Sequence, residues 1–161
     1  MPDLANKMTL DFKGFKDLLS EYEGMGGNVQ RAVTGALIQS KQLVTKQAEE
    51  AIGKHRRTGR TAASIDRGHT VTWNGEYGSI DVGFHISEGG LPSIFLMYGT
   101  PRHTPVNQYG KPKRNNARLH PGMEEDRKLY NAIYGSGTKK KIRKLQEEAV
   151  RKVIQRTVGG G

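Results

Sequence analysis

Residues 28–52 read NVQRAVTGALIQSKQLVTKQAEEAI, and the spacing within this stretch decides the fold. Val29, Ala32, Val33, Ala36, Leu37, Ser40, Leu43, Val44, Ala48, Ala51 and Ile52 recur in steps of three and four residues. That spacing gathers side chains on one face of an α-helix. It predicts a helix of about 26 residues, about 39 Å long at 1.5 Å per residue. In a chain of 161 residues such a helix forms the spine. The stripe is rich in Ala and Ser, so a packing partner can approach closely. Asn28 is a candidate N-cap and Gly53 a natural terminator.

Upstream, Phe12, Phe15, Leu18, Leu19 and Tyr22 predict a first helix over 12–23, stopped by Gly24, Gly26 and Gly27. Downstream the period changes. Ile65, Val71 and Trp73 share one parity, and Ile80, Val82, Phe84 and Ile86 share another, the alternation of strands with one buried face. The segment NGEYG at 74–78 between them carries an Asn-Gly turn signal, so an antiparallel hairpin is expected. Arg67 and His69 interrupt the first strand's apolar parity. EGGLP at 88–92 ends the sheet. The apolar run Ile94–Tyr98 is too short for periodicity to separate strand from helix.

Residues 101–119 read as a long polar loop, with Pro101, Pro105, Gly110 and Pro112 as breakers. This segment holds Arg102, Lys111, Lys113, Arg114 and Arg118 and no acidic residue. Loops of more than about 15 residues are usually functional or disordered. A short helix over 123–134, a flexible GSGT at 135–138 and a last helix over about 139–157 complete the chain. Ile142, Leu145, Ala149, Val153 and Ile154 line one side of the last helix. It opens with KKKIRK, cations that oppose the dipole at a helix N-terminus by a few tenths of a kcal/mol each.

This length fits a single domain over 1–161, with flexible ends at about 1–9 and 158–161. Only 34% of residues are apolar against 26% charged, a modest core for extended elements that need neighbours. The absence of Cys excludes disulfides and thiolate metal sites and fits a reducing cytosol. No apolar run approaches the roughly 18 residues of a membrane span, and MPDLANKMTLDF has no signal-peptide pattern. A soluble protein of the cytoplasm, without membrane contact, is expected. The net charge is +10, but residues 1–53 carry six Lys/Arg against seven Asp/Glu, so 54–161 carry +11. That asymmetry points to an anionic partner, nucleic acid or an acidic protein face, or else to a solvated basic surface.

The residues of a catalytic site are missing from the pattern. His55, His69, His85, His103 and His120 form no helical i,i+4 pair and no HExxH, and there is no GxSxG or phosphate-binding glycine loop. Glu124, Glu125 and Asp126 are adjacent on an expected helix, so they diverge by about 100° each and cannot converge on a metal. They read as a solvated acidic first turn suited to the helix dipole. No enzyme activity, cofactor or metal is expected. Lys54, Arg56, Arg57 and Arg60, with the turn residues Thr58 and Gly59, form a basic cluster at the end of the long helix. This cluster and the 102–118 loop suit non-specific contact with DNA phosphates. Only Tyr109 lies within the loop for base stacking.

The order helix, long helix, TGR…S turn, hairpin, aromatic-Gly-Thr, proline-containing loop and C-terminal helix resembles the tail-completion (tail-component) family of long-tailed bacteriophages. The matching pieces are Thr58-Gly59-Arg60 with Ser64-Ile65, then Tyr98-Gly99-Thr100, then His120-Pro121-Gly122-Met123. The resemblance covers about residues 10–157. Met97 stands where the family usually carries an acid, and Arg56 and Arg57 stand where it often carries a proline.

The resemblance implies an α+β protein: a long N-terminal helix packed on a small antiparallel sheet, with a C-terminal helix and a long basic loop. It implies a structural virion protein that forms a sixfold or twelvefold homo-oligomeric ring in the neck. The ring would lie between portal-side connector or head-closure proteins and the tail terminator or tail tube, with double-stranded DNA passing through. Such a protein is found at the head–tail interface of the virion, and in the host cytoplasm during assembly. Arg56, Arg57, Arg60, Tyr98, Thr100, Arg102, Lys111, Lys113, Arg114 and Arg118 are then the expected subunit and partner contacts. The alternative is a non-specific DNA-binding protein of a phage or mobile element.

Overall fold

The spine of the molecule is the helix α1, Gly26–Gly53. In the computed structural model, residues 4–11, 26–74, 77–106, 109–111 and 119–159 are described. The expected helix over 12–23 lies outside them. Val29, Val33, Ala36, Leu37, Ser40, Val44, Ala48 and Ile52 are all buried along one side of α1, the stripe read from the sequence. Burying a Leu or Val side chain contributes about 1.5–3 kcal/mol. α1 begins two residues before Asn28, so that residue lies inside the helix and is not its cap.

α1 packs against a three-stranded antiparallel sheet of order β1-β3-β2 and against the two C-terminal helices. The central strand β3, Tyr77–His85, buries Ile80, Val82 and Phe84 at alternate positions. One edge is β1, Leu4–Asp11, with Met8 opposite Val82 and Leu10 opposite Ile80. The chain start expected to be flexible over 1–9 is therefore a strand from Leu4 onward, because it finds the open edge of β3.

At the other edge, β2 is only Thr72–Asn74. It pairs with β3 as a hairpin, Asn74 opposite Tyr77; the turn residues 75–76 lie outside the described residues. Ile65 makes one isolated bridge to Phe84, and the expected strand then breaks. Arg67 turns back, donating to the carbonyls of Ala62, Ala63 and Ile65 and to Glu49.

Three further helices follow the α1 spine on that side. A single turn, α2, covers Arg60–Ala63. The apolar run that periodicity left open is helical: α3 spans Leu91–Tyr98, with Pro92 in its first turn and Ser93 and Met97 buried. Met97 thus serves the core. α4, Arg127–Tyr134, and α5, Ser136–Val158, are separated by Gly135 alone.

The expected flexible GSGT is instead a fastened joint. Thr138 Oγ1 donates to Asn131 O at 2.8 Å, while Gln47 Nε2 of α1 donates to Ala132 O and to Thr138 Oγ1, both at 3.0 Å. Starting at Ser136 also sets KKKIRK at 139–144 one turn inside the helix. This reduces the conflict with the dipole, which acts mainly on the first turn. α5 reaches Val158, the start of the expected flexible end; residues 160–161 lie outside the described residues. The fold is α+β, with the long helix on a small antiparallel sheet and a C-terminal helix alongside.

Candidate assembly surface

Tyr98-Gly99-Thr100 and His120-Pro121-Gly122-Met123 are one structural unit. Thr100 N–H donates to Met123 O at 2.8 Å and Met123 N–H to Thr100 O at 3.0 Å. His103 and His120 exchange a second such pair at 3.1 and 2.8 Å. The loop expected over 101–119 therefore leaves the body as a two-legged arm with paired roots.

The glycines make this pairing possible. Gly99 and Gly122 have φ of 71° and 82°, and a Cβ on Gly99 would lie 2.7 Å from Met123 O. A Cβ on Gly122 would collide with Thr100 O. The imidazoles of His103 and His120 stack across the legs, centroids 4.7 Å apart. His103 Nδ1 lies 3.0 Å from Pro101 O and so carries the hydrogen; His120 Nδ1 accepts from Gly122 N–H at 3.1 Å.

Arg102 and Lys111 are exposed on the described part of the arm. So are three large apolar residues, Val106, Tyr109 and Leu119. Lys113, Arg114 and Arg118 lie outside the described residues.

Beside the root, α3 turns Leu91, Phe95 and Tyr98 outward, at 45%, 43% and 57% exposure. Their spacing of four and three residues sets them on one side of the helix. Tyr98 meets Tyr130 of α4 edge-on at 5.8 Å, and Tyr130 meets Tyr134 at 5.3 Å. Burial, with the neighbouring Tyr98 and Tyr130 hydroxyls, pushes the Tyr134 hydroxyl up to about 12. Met123 adds another exposed apolar side chain, and Thr100 is half-buried at the root. An aromatic face and a basic arm thus lie next to each other.

Arg56, Arg57 and Arg60 are exposed. Gly59, with φ of 77°, turns the chain into α2, and Arg60 runs against Gly89, just before α3. Lys54 does not share that freedom. Its Nζ lies 2.9 Å from Asp126 Oδ2, and His55 Nε2 lies 2.5 Å from the same oxygen.

Asp126 corrects the reading of 124–126 as a solvated turn. It is buried and caps α4, accepting from Lys128 N–H and Leu129 N–H. Burial works to raise its carboxyl, yet Lys54, His55 and the two amides outweigh that and hold it well below the usual carboxylate range. The Asp immediately before an apolar-periodic run was a legible capping signal; its ties to Lys54 and His55, 71 positions away in the latter case, were not. Leu91, Phe95 and Tyr130 were also missed, since nothing local distinguishes an exposed helix face from a buried one.

Among the described residues no group of three or more His, Cys, Asp or Glu is placed to hold a metal ion. No helix among them is long and apolar enough to cross a membrane. Comparison of the chain with protein-family models, with curated proteins and with solved structures finds no match.

Proposed function

We propose that this chain is a structural protein of the bacteriophage neck, forming a homo-oligomeric ring that joins the DNA-filled head to the tail. The observation that carries the reading is the arm root. Two of the short motifs behind the family resemblance, Tyr98-Gly99-Thr100 and His120-Pro121-Gly122-Met123, close on each other there. They hold a basic arm beside an exposed aromatic face. Surfaces of this kind suit contact with other protein subunits, and large exposed apolar patches commonly mark such sites.

Arg56, Arg57, Arg60, Tyr98, Thr100, Arg102 and Lys111 supply contacts in this reading, as do Lys113, Arg114 and Arg118 farther along the arm. The neighbours are further copies, portal-side connector or head-closure proteins, and the tail terminator or tube. DNA passes the ring transiently.

The test is reconstitution. Electron microscopy of the purified protein mixed with portal-bearing heads and isolated tails should show a ring at the junction. Protein that never joins such particles overturns the reading.

A further inference from the structure

The two exposed apolar groups described above belong to separate parts of the molecule. On the body are Leu91, Phe95, Tyr98, Met123 and Tyr130; on the arm are Val106, Tyr109 and Leu119. All eight face solvent in the single chain, so the two groups do not cover each other.

Their charged surroundings are opposite. The described arm carries Arg102 and Lys111, and its sequence contains no acid from 101 to 119. The body face is bordered by exposed Glu88, Glu124 and Glu125, the last of which pairs with Arg127 at 2.6 Å on the open surface. Surface pairs of that kind contribute little and exchange readily.

A chain of net charge +10 repels its own copies over most of its surface. Self-association is therefore favoured where an acidic border meets a basic arm. Beyond the His103–His120 rung each leg has about eight residues, a reach of about 26 Å at 3.3 Å per residue. That is enough to cross to an adjacent subunit.

We propose that the arm of one subunit docks on the aromatic face of a second copy of this chain. This rests on the ring reading above and adds its two surfaces and its sense: head to tail. Tyr109 and Leu119 enter the apolar face, while Arg102 and Lys111 meet Glu88 and Glu124. Because the two surfaces differ, the contact is heterologous; it closes into a ring if the rotation permits and otherwise continues as a filament.

The chain has no Cys, so Tyr109→Cys and Phe95→Cys each introduce a single thiol at an exposed position. Each variant oxidised alone should stay largely monomeric on a non-reducing gel, while the mixture should give a disulfide-linked pair containing one of each. A mixture that gives no mixed pair overturns the docking, as does one in which Phe95→Cys pairs with itself equally well. Native mass spectrometry of the wild type separates this from the ring reading. Closed oligomers without the mixed disulfide sink the docking alone. The mixed disulfide with open-ended chains supports the docking and sinks the ring.

Discussion

Lys41 Nζ stands 2.6 Å from Asp66 Oδ2, with the lysine side chain 3% exposed and the aspartate 20% exposed. The pair ties the middle of α1 to the segment that bridges β3, where Asp66 N–H donates to Gly83 O. Burial works to raise the Asp66 carboxyl, but Lys41 and the Gly68 amide outweigh it and hold it below its ordinary range. The unequal burial determines which partner the fold can lose.

Asp66→Ala leaves an unpaired ammonium in the core, a loss of about 3–5 kcal/mol. Lys41→Met replaces that ammonium with an apolar chain, while Asp66 keeps the Gly68 amide and some water. Its expected cost is about 1 kcal/mol. Urea denaturation of both variants checks this; equal costs would show that the lysine is better hydrated than its burial indicates.

Asp126 gives the pH dependence. Its folded carboxyl titrates below the ordinary value, so its stabilisation is present above the unfolded pKa of about 3.9 and is lost as pH falls through the folded value. Asp126→Asn should destabilise the protein by about 1–2 kcal/mol at pH 7 through a weakened cap and lost ion pairs. The gap between wild type and variant should close as pH drops below about 4. A gap that persists unchanged at pH 3 contradicts the assignment.

Gly122→Ala places a methyl group against Thr100 O at a backbone conformation that costs L-residues about 1–2 kcal/mol. The expected result is a detached arm on a folded body. Limited proteolysis should cut near Lys111 faster than in the wild type, while the main thermal transition moves little. A global loss of structure would mean that the root belongs to the cooperative core.

Arg56, Arg57 and Arg60 are exposed, so neutralising all three should leave thermal stability nearly unchanged. Assembly should weaken, leaving filled heads and separate tails. Duplex DNA should bind the wild type at low salt and be released near physiological salt as counterions compete. Retention at physiological salt would favour the DNA-binding alternative.

The α1 stripe was legible because its periodicity runs unbroken from Val29 to Ile52 and every step is buried against something. β1 was not, since Asn6, Lys7 and Asp11 give 4–11 a polar look and only pairing with β3 makes it a strand. The strand expected from Ile65 to Trp73 failed at Arg67, whose side chain bonds helix-end carbonyls and pulls the backbone away from the sheet. Tyr98-Gly99-Thr100 and Gly122-Met123 were each visible as motifs. Their contact was not, because it joins residues more than twenty apart.

Gly110 stands beyond both rungs of the arm, with a φ of 74° and nothing within 4 Å of a Cβ placed on it. Residues inserted there would meet no core side chain, and closing the longer excursion grows only logarithmically in cost, by about 0.6 kcal/mol per doubling. The span between subunits is thus a dimension that this architecture can vary without renegotiating its stability. Related chains could fit necks of different girth by changing arm length alone.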